Sequence, residues 1–375
     1  MPRRHTLVTL ALLAAASVTV HPVEMSPLTA RLQSMASAEH LSDWQVDSGR
    51  EDDIKVDSFV GRQALWLKNN THARRPALIL RDGTIEFDVA PMDSGDFIGV
   101  TFRRESQINH ENIYIRPARS GEFMAMQYAP RTNGSSTWQL YPQFTATARW
   151  PRNQWTHVRV EIHGSKLEAF VGDTATPTLS VLRLRHASTS GEVAFWARVN
   201  NRPGEWAAAL SNVSIRPAAA SLPLTAPAAP DRGVVSNWEV AGPVPTASRP
   251  ADSIPADLKW TAVAAEESGL VNLNRLFRAR PQEGRFTAFL RTTVTVPAAR
   301  RLPAGIGYSD DVTVFVNGEP VYSGVNGWES RTPGFASFVD PHFERVWLPL
   351  RAGINEVVLA VTDDQLFGWG ASMSM

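Results

Sequence analysis

The sequence predicts an all-β chain built as two antiparallel β-sandwich domains. Apolar residues recur at every second position in short runs, and Ser-Gly, Pro-Arg and Asn-Gly turn signals punctuate those runs. A single Pro/Ala-rich stretch divides the runs into two sets. At 375 residues the chain is long enough for two separate cores. Lys plus Arg (37) equals Asp plus Glu (37), so no overall charge points to nucleic acid or an anionic membrane surface. Cysteine is absent, which excludes disulfides, thiolate metal sites, a Cys nucleophile and a lipid anchor on Cys.

The elements follow in order. Arg3 and Arg4, the apolar run Leu7 to Val20 and the small residues at Ala14 to Ser17 predict a signal peptide over 1–20. The run is shorter than the ~20 residues a spanning helix needs, so the mature chain is expected to be secreted or periplasmic, without a membrane partner. Residues 21–40 read as a tether. The first domain, 41–216, opens with strands at Ile54 to Val56, Ala64 to Leu67, Ala77 to Leu80 and Gly83 to Val89. In the last of these, Ile85, Phe87 and Val89 face a core and Thr84, Glu86 and Asp88 face away.

The stretch Phe97 to Tyr141 comes next, with strands expected at Ile98 to Phe102, Asn112 to Ile115, Met124 to Tyr128 and Ser136 to Tyr141. Its planar rings and forked donors, among them Arg103, Arg116, Gln127, Tyr128, Asn133, Trp138 and Tyr141, suit a sugar held by stacking and hydrogen bonds. Trp155 to His163 buries Val158, Val160 and Ile162 and turns His157, Arg159, Glu161 and His163 outward. The two histidines lie roughly 20 Å apart at strand rise, which fits a solvated outer face better than a metal site. Lys166 to Val171, Gly191 to Val199 and Ala208 to Ile215 complete the domain.

Residues 217–236 form a semi-rigid Pro/Ala linker. The second domain, 237–375, has strands at Phe286 to Val296, Asp311 to Val316, Glu319 to Tyr322, Val346 to Leu350 and Glu356 to Val361. Asn317-Gly318 supplies the positive φ angles of a type I′ hairpin turn. Trp328 lies in a Gly-rich loop, where functional groups concentrate.

Two resemblances rest on these motifs. F-R, N-x-Y-x-R-P, S-G, Q-Y, N-G and W-Q-L-Y in the central stretch resemble the concanavalin A-like lectin/glucanase superfamily, in particular its laminin-G-like and 3-keto-disaccharide-hydrolase-like bacterial members. This implies a jelly roll and a glycan partner. In the C-terminal hundred residues, D-x-V-x-V-F-V-N-G, then R-V-W-L-P-L-R-A-G-I-N-E-V-V-L-A-V and F-G-W-G, resemble the galactose-binding-like jelly rolls of bacterial glycosidases. That resemblance implies fold and ligand class, not catalytic residues.

Hydrolysis of a glycoside needs two carboxyl groups roughly 5 to 10 Å apart. The glucanase pattern E-x-D-x-x-E is matched by Glu86 and Asp88 only, with Pro91 in the third place. Asp52-Asp53, Asp310-Asp311 and Asp363-Asp364 read as turn and cap residues or as half of a structural calcium site. Otherwise no cofactor or metal is expected. No nucleophile elbow, zinc helix, phosphate loop or dinucleotide fingerprint is present.

Trp44, Trp66, Trp155, Trp196 and Trp347 are expected in cores, and Trp138, Tyr141 and Trp328 at a ligand. The reading is a secreted carbohydrate-binding protein with ligand-binding residues Arg103, Arg116, Gln127, Tyr128, Asn133, Trp138, Tyr141 and Trp328. Two others stay open: an extracytoplasmic glycoside or 3-keto-glycoside hydrolase with its acid and base among Glu86, Asp88, Glu105, Glu111 and Glu122, and an adhesion or assembly module.

Overall fold

The structure, a computed structural model, describes residues 43–47, 50–186, 188–200, 202, 204–246, 251–278, 284–332 and 334–375. The leader at 1–20 and the tether at 21–40 lie outside them. The described residues form β-strands, short 3-10 turns and loops, in four antiparallel sheets. No helix among them is long and apolar enough to cross a membrane.

The first half contributes β1 (Gln45–Val46), β2 (Ile54–Phe59), β3 (Arg62–Lys68), β4 (Thr71–Leu80), β5 (Gly83–Pro91), β6 (Phe97–Ser106) and β7 (Asn109–Ile115). It continues with β8 (Met126–Tyr128), β9 (Thr145–Ala146), β10 (Thr156–His163), β11 (Lys166–Val171), β12 (Leu179–Val181), β13 (Gly191–Arg198) and β14 (Trp206–Pro217). A front sheet runs β1-β4-β13-β6-β7-β8-β9, and a back sheet runs β12-β11-β10-β5-β14-β3-β2. Period-2 alternation sends Ile98, Val100, Ile113, Ile115, Val193 and Phe195 of the front sheet inward against Ile85, Phe87, Val89, Val158, Val160 and Ile162 of the back sheet.

The second half contributes β15 (Asn237–Pro245), β16 (Thr261–Ala264), β17 (Val271–Asn272), β18 (Phe286–Val296), β19 (Arg300–Ser309) and β20 (Asp311–Val316), then β21 (Glu319–Val325), β22 (Glu344–Leu350), β23 (Gly353–Asp363) and β24 (Gly370–Ser374). These form sheets β16-β15-β18-β23-β20-β21 and β17-β24-β19-β22. Their shared core includes Val240, Leu290, Ile306, Val314, Leu359 and Trp369. The other face of β18 is covered as well: Phe289 joins Phe315, Val358 and Ala251 in a smaller cluster under Ile254, Leu258 and Trp260. The β20–β21 turn has Asn317 at φ 52° and Gly318 at φ 86°, the left-handed pair a type I′ turn requires.

Residues 37–375 cluster as one compact unit. The Pro/Ala stretch runs exposed along the first sandwich and is pinned to it, with Leu222 N–H donating to Asp82 Oδ2 (2.7 Å) and Thr225 N–H to Ser165 Oγ (2.9 Å). Beyond it, the two sandwiches meet along a buried seam. Ser136 to Tyr141, expected as a strand, is instead a loop with a 3-10 turn at Trp138–Leu140, because its hydrogen bonds are directed to the second sandwich. Gln139 N–H donates to Phe367 O (3.1 Å), Gln139 O accepts from Val339 N–H (2.8 Å), and Ser309 Oγ donates to Gln139 Oε1 (2.7 Å). Tyr141 OH donates to Glu266 Oε1 (2.9 Å), which also pairs with Arg275 (2.9 Å), while Arg185 reaches Glu267 (2.8 Å). Leu270 and Val339 of the second half complete the first core.

Candidate functional site

The outer face of the front sheet is a groove built on strand register. One row across five strands reads His72 (β4), Trp196 (β13), Gly99 (β6), Tyr114 (β7) and Gln127 (β8). Two residues along in one direction the row includes Ala194, Thr101 and Asn112; in the other, Arg198 lies opposite Phe97. Because the side-chain period is 2, all of these turn away from the core.

Gly99 makes the floor possible. A Cβ there would lie 2.4 Å from Trp196 Nε1 and 2.9 Å from Ile113 O, so the missing side chain lets the indole reach over the backbone. Trp196 Nε1 then donates to Asn112 Oδ1 (2.8 Å), and the His72 ring runs near-parallel to the indole at 5.9 Å and 15°.

The polar groups are held as firmly. Arg116 Nη2 donates to Tyr114 OH (2.7 Å) and Gln127 Oε1 (2.8 Å), and Nη1 donates to Met124 O (3.0 Å). Its guanidinium lies over the rings of Tyr114 (4.9 Å) and Trp138 (5.5 Å). Gln127 Nε2 donates to Trp138 O (2.8 Å) and Tyr141 O (3.2 Å), so Gln127 fixes the loop that carries Trp138.

The second sandwich supplies one wall. Trp138 meets Trp328 edge-on at 5.4 Å and Phe367 at 5.7 Å, and all three line a cavity of about 440 Å³. Small-molecule sites fall in a range of roughly 300–1,000 Å³. Asn70, His72, Phe97, Asn112 and Trp196 line the floor, with Arg116, Arg131 and Arg198 around them. Burial pushes His72 down to about 4, helped by the Arg131 and Arg104 charges, and holds His110 well below its ordinary value. Both imidazoles are therefore neutral at physiological pH.

Of the residues expected at a ligand, Arg116, Trp138 and Trp328 line this cavity. The other five are placed differently. Arg103 follows the register shift after Phe102, has φ 47° and turns into the sandwich, where it bonds Asp82 Oδ1 (3.0 Å) and Gly164 O (2.5 Å). Tyr128 pairs with Ile113 and so shares its inward phase, with its hydroxyl on Glu111 (2.6 Å). Tyr141 is buried in the seam, and Asn133 donates from Nδ2 to Asn274 O (2.9 Å) across it. Gln127 is fully buried and acts by positioning its neighbours.

The acids expected for hydrolysis do not converge. Glu86 and Asp88 are on the outer face of the back sheet, Glu86 paired with Arg216 and Asp88 with Arg62 and His157. Glu111 is sealed on the inward face of β7, where burial pushes it up to about 7 against the pull of Tyr128 and Arg103. Glu105 and Glu122 do not line the groove, where Asp96 is the one carboxylate among the described residues. Among the described residues no group of three His, Cys, Asp or Glu could hold a metal ion. Asp310, a candidate for half a calcium site, accepts the N–H groups of Asp364 (2.7 Å) and Gln365 (2.8 Å) instead.

Several groove residues escaped the sequence reading. Trp196 was expected in a core, yet the alternation of Val193, Phe195 and Ala197 inward places it outward, a signal present in the sequence. Trp44 is buried as expected, whereas Trp347 is 55 % exposed and Trp66 and Trp155 flank Phe59 on the outer surface of the back sheet. Arg131 and Phe367 sit in irregular loops, where no periodicity marks them.

No protein-family model matches the chain, and no curated protein matches it in sequence. Solved structures similar in shape include the carbohydrate-binding module CBM66 from Bacillus subtilis, at 11% identity and TM-score 0.34 over 46% of this chain and 95% of that one. A Bacillus licheniformis beta-glucanase aligns at 11% identity and TM-score 0.33 over 47% of this chain and 92% of its own. The exoplasmic/lumenal domain of VIP36, bound to Ca2+ and Man3GlcNAc, aligns at 10% identity and TM-score 0.31, covering 49% and 89%.

Proposed function

We propose that the chain is an extracytoplasmic glycan-binding protein that holds a saccharide in the front-sheet groove without cleaving it. The observation that carries this reading is the Trp196 indole, half-buried over Gly99 and locked by Asn112, facing a wall of Trp138 and Trp328. Sugar rings present apolar C–H faces rimmed by hydroxyls. A site with fixed indoles for the faces and Arg116, Asn112 and His72 for the hydroxyls matches both demands. The rings and donors are held by protein partners, so little ordering would accompany binding. A hydrolase would need a second carboxyl group beside Asp96, and there is none among the described residues of the groove lining.

Titration calorimetry against glycans selected on an array tests the reading. Trp196→Ala and Trp138→Ala should each weaken binding by ~1 to 2 kcal/mol, the scale of aromatic anchors in recognition sites, with the unfolding temperature of Trp196→Ala little changed. Binding that ignores both substitutions would move the site elsewhere.

A further inference from the structure

The groove is cationic in a chain whose acidic and basic residues balance: among the described residues, four arginines (116, 119, 131 and 198) line it against one aspartate, Asp96. Arg119 is answered by Glu122 outside the groove (3.2 Å). The other three have no carboxylate within ion-pair distance among the described residues; Arg116 is held by the neutral groups of Tyr114, Gln127 and Met124. Asp96 has its Oδ2 on the Asn200 N–H (2.6 Å), and its charge bears on Arg152. At the rim the pattern reverses: Arg104 and Arg74 are both clamped by Asp47 and Glu192.

Two buried polar atoms of groove-lining residues are also unanswered. Arg131 Nε and His72 Nδ1 are buried and have no hydrogen-bond partner, although such groups are rarely left so. Arg131 is held below its ordinary value by burial and by the charge of Arg198, which lines the same cavity. An anion bridging Arg131 and Arg198 would relieve the repulsion and leave the stacking surface of Trp196 and Trp138 to the rest of the molecule.

Resting on the glycan-binding reading, we propose that the groove's ligand is an acidic saccharide, its carboxylate or sulfate group clasped between Arg131 and Arg198. His72 and Asn112 then face ring hydroxyls. The neutral histidines keep the site free of further charge, so it is expected to discriminate by anionic group rather than by overall charge density.

Calorimetry on the full chain tests this with five probes of matched length: oligogalacturonate, the same oligomer methyl-esterified, a sulfated galactan oligosaccharide without carboxylates, a neutral galactan oligosaccharide and poly-glutamate. Oligogalacturonate or the sulfated probe should bind at least about tenfold tighter than the esterified and neutral ones, since charge-assisted bonds contribute on the order of a factor of ten each. The stronger of the two identifies the anionic group. Arg198→Ala, at an exposed position, should remove most of that preference without loss of fold, and Arg131→Lys should weaken it, because an ammonium cannot present two parallel donors. Equal binding of neutral and acidic sugars, unchanged by either substitution but lost in Trp196→Ala, overturns the anion clasp and keeps the glycan reading. Poly-glutamate binding as tightly as oligogalacturonate overturns the glycan reading and keeps the clasp. No binding by any acidic probe overturns the inference.

Discussion

The outer faces of the front and back sheets carry similar side chains to opposite ends. On the back sheet, Arg159 pairs with Glu161, Lys166 with Glu168, Arg216 with Glu86, and Arg62 and His157 with Asp88. Each of these charges has its answer two residues away or one or two strands across the same sheet, and the face is a solvated exterior. On the front sheet the ion pairs stop at the rim; inside, Arg116, Arg131 and Arg198 stand among rings under a wall from another sandwich. Polar alternation alone does not separate an exterior from a site. Whether the charges are matched in place, and whether a second element roofs the face, does.

The largest effect expected is at the roof. Glu266 is buried and bonded to Tyr141, Arg185 and Arg275, so Glu266→Ala would take the carboxylate from Arg275 and leave Arg185 with Glu267 alone in the seam. Loss of one partner of a buried ionic network costs ~3–5 kcal/mol, and thermal unfolding should show a drop of that order together with weakened glycan binding. Unchanged stability would mean the wall is only loosely attached.

The floor comes next. Gly99→Val would drive a side chain into the Trp196 indole and the Ile113 carbonyl. Strain of this kind costs ~1–3 kcal/mol, and affinity should fall further than in Trp196→Ala, which a direct titration would show.

Acid and base sharpen the contrast between the faces, because the titrating groups lie under the groove and its wall rather than on the back sheet. Glu111 and Asp363 are pushed up to about 7 and Asp310 to about 6, chiefly by burial. Carboxyls raised in the folded state contribute stability below their ordinary values and lose it as pH rises through about 6 to 7. His72, His110 and His186 are depressed, so their contribution is lost as pH falls below about 6.5. The two sets oppose each other in mild acid, which leaves a net fall in unfolding temperature between pH 6 and 8. Glu111→Gln should flatten that limb, and a profile unchanged by it would count against the buried carboxyl as its source.

The smallest effect belongs to the back sheet. Lys166→Ala removes an exposed pair with Glu168 (2.8 Å) and should cost under about 0.5 kcal/mol with no change in binding. A loss of glycan affinity there would erase the distinction between the faces.

The strands of both sandwiches were legible because burial on one side imposes period 2, and the Asn317-Gly318 hairpin because its dihedral angles admit few residues. Part of the site was legible by the same logic: Arg116 and Trp138 follow from the central stretch. Three things hid the rest. The shift after Phe102 takes Arg103 off the outward phase, so extrapolating the alternation gives the wrong side. Tyr128 sits opposite inward Ile113 rather than outward Tyr114, a difference of one residue that only the pairing register reveals. The loop at Trp138–Leu140 looks like a strand until its partners, 170 or more positions away, are known.

The seam that supplies the roof has a mechanical meaning. A ligand that touches Trp196 on one sandwich and Trp328 on the other is a removable crosslink between them, and reciprocity requires that it strengthen docking by the same factor by which docking strengthens its own binding. Tension between the chain's two halves would act first on the Gln139 contacts, since those bonds lie between the bodies rather than within either. Under load the groove would open and release whatever ligand it held.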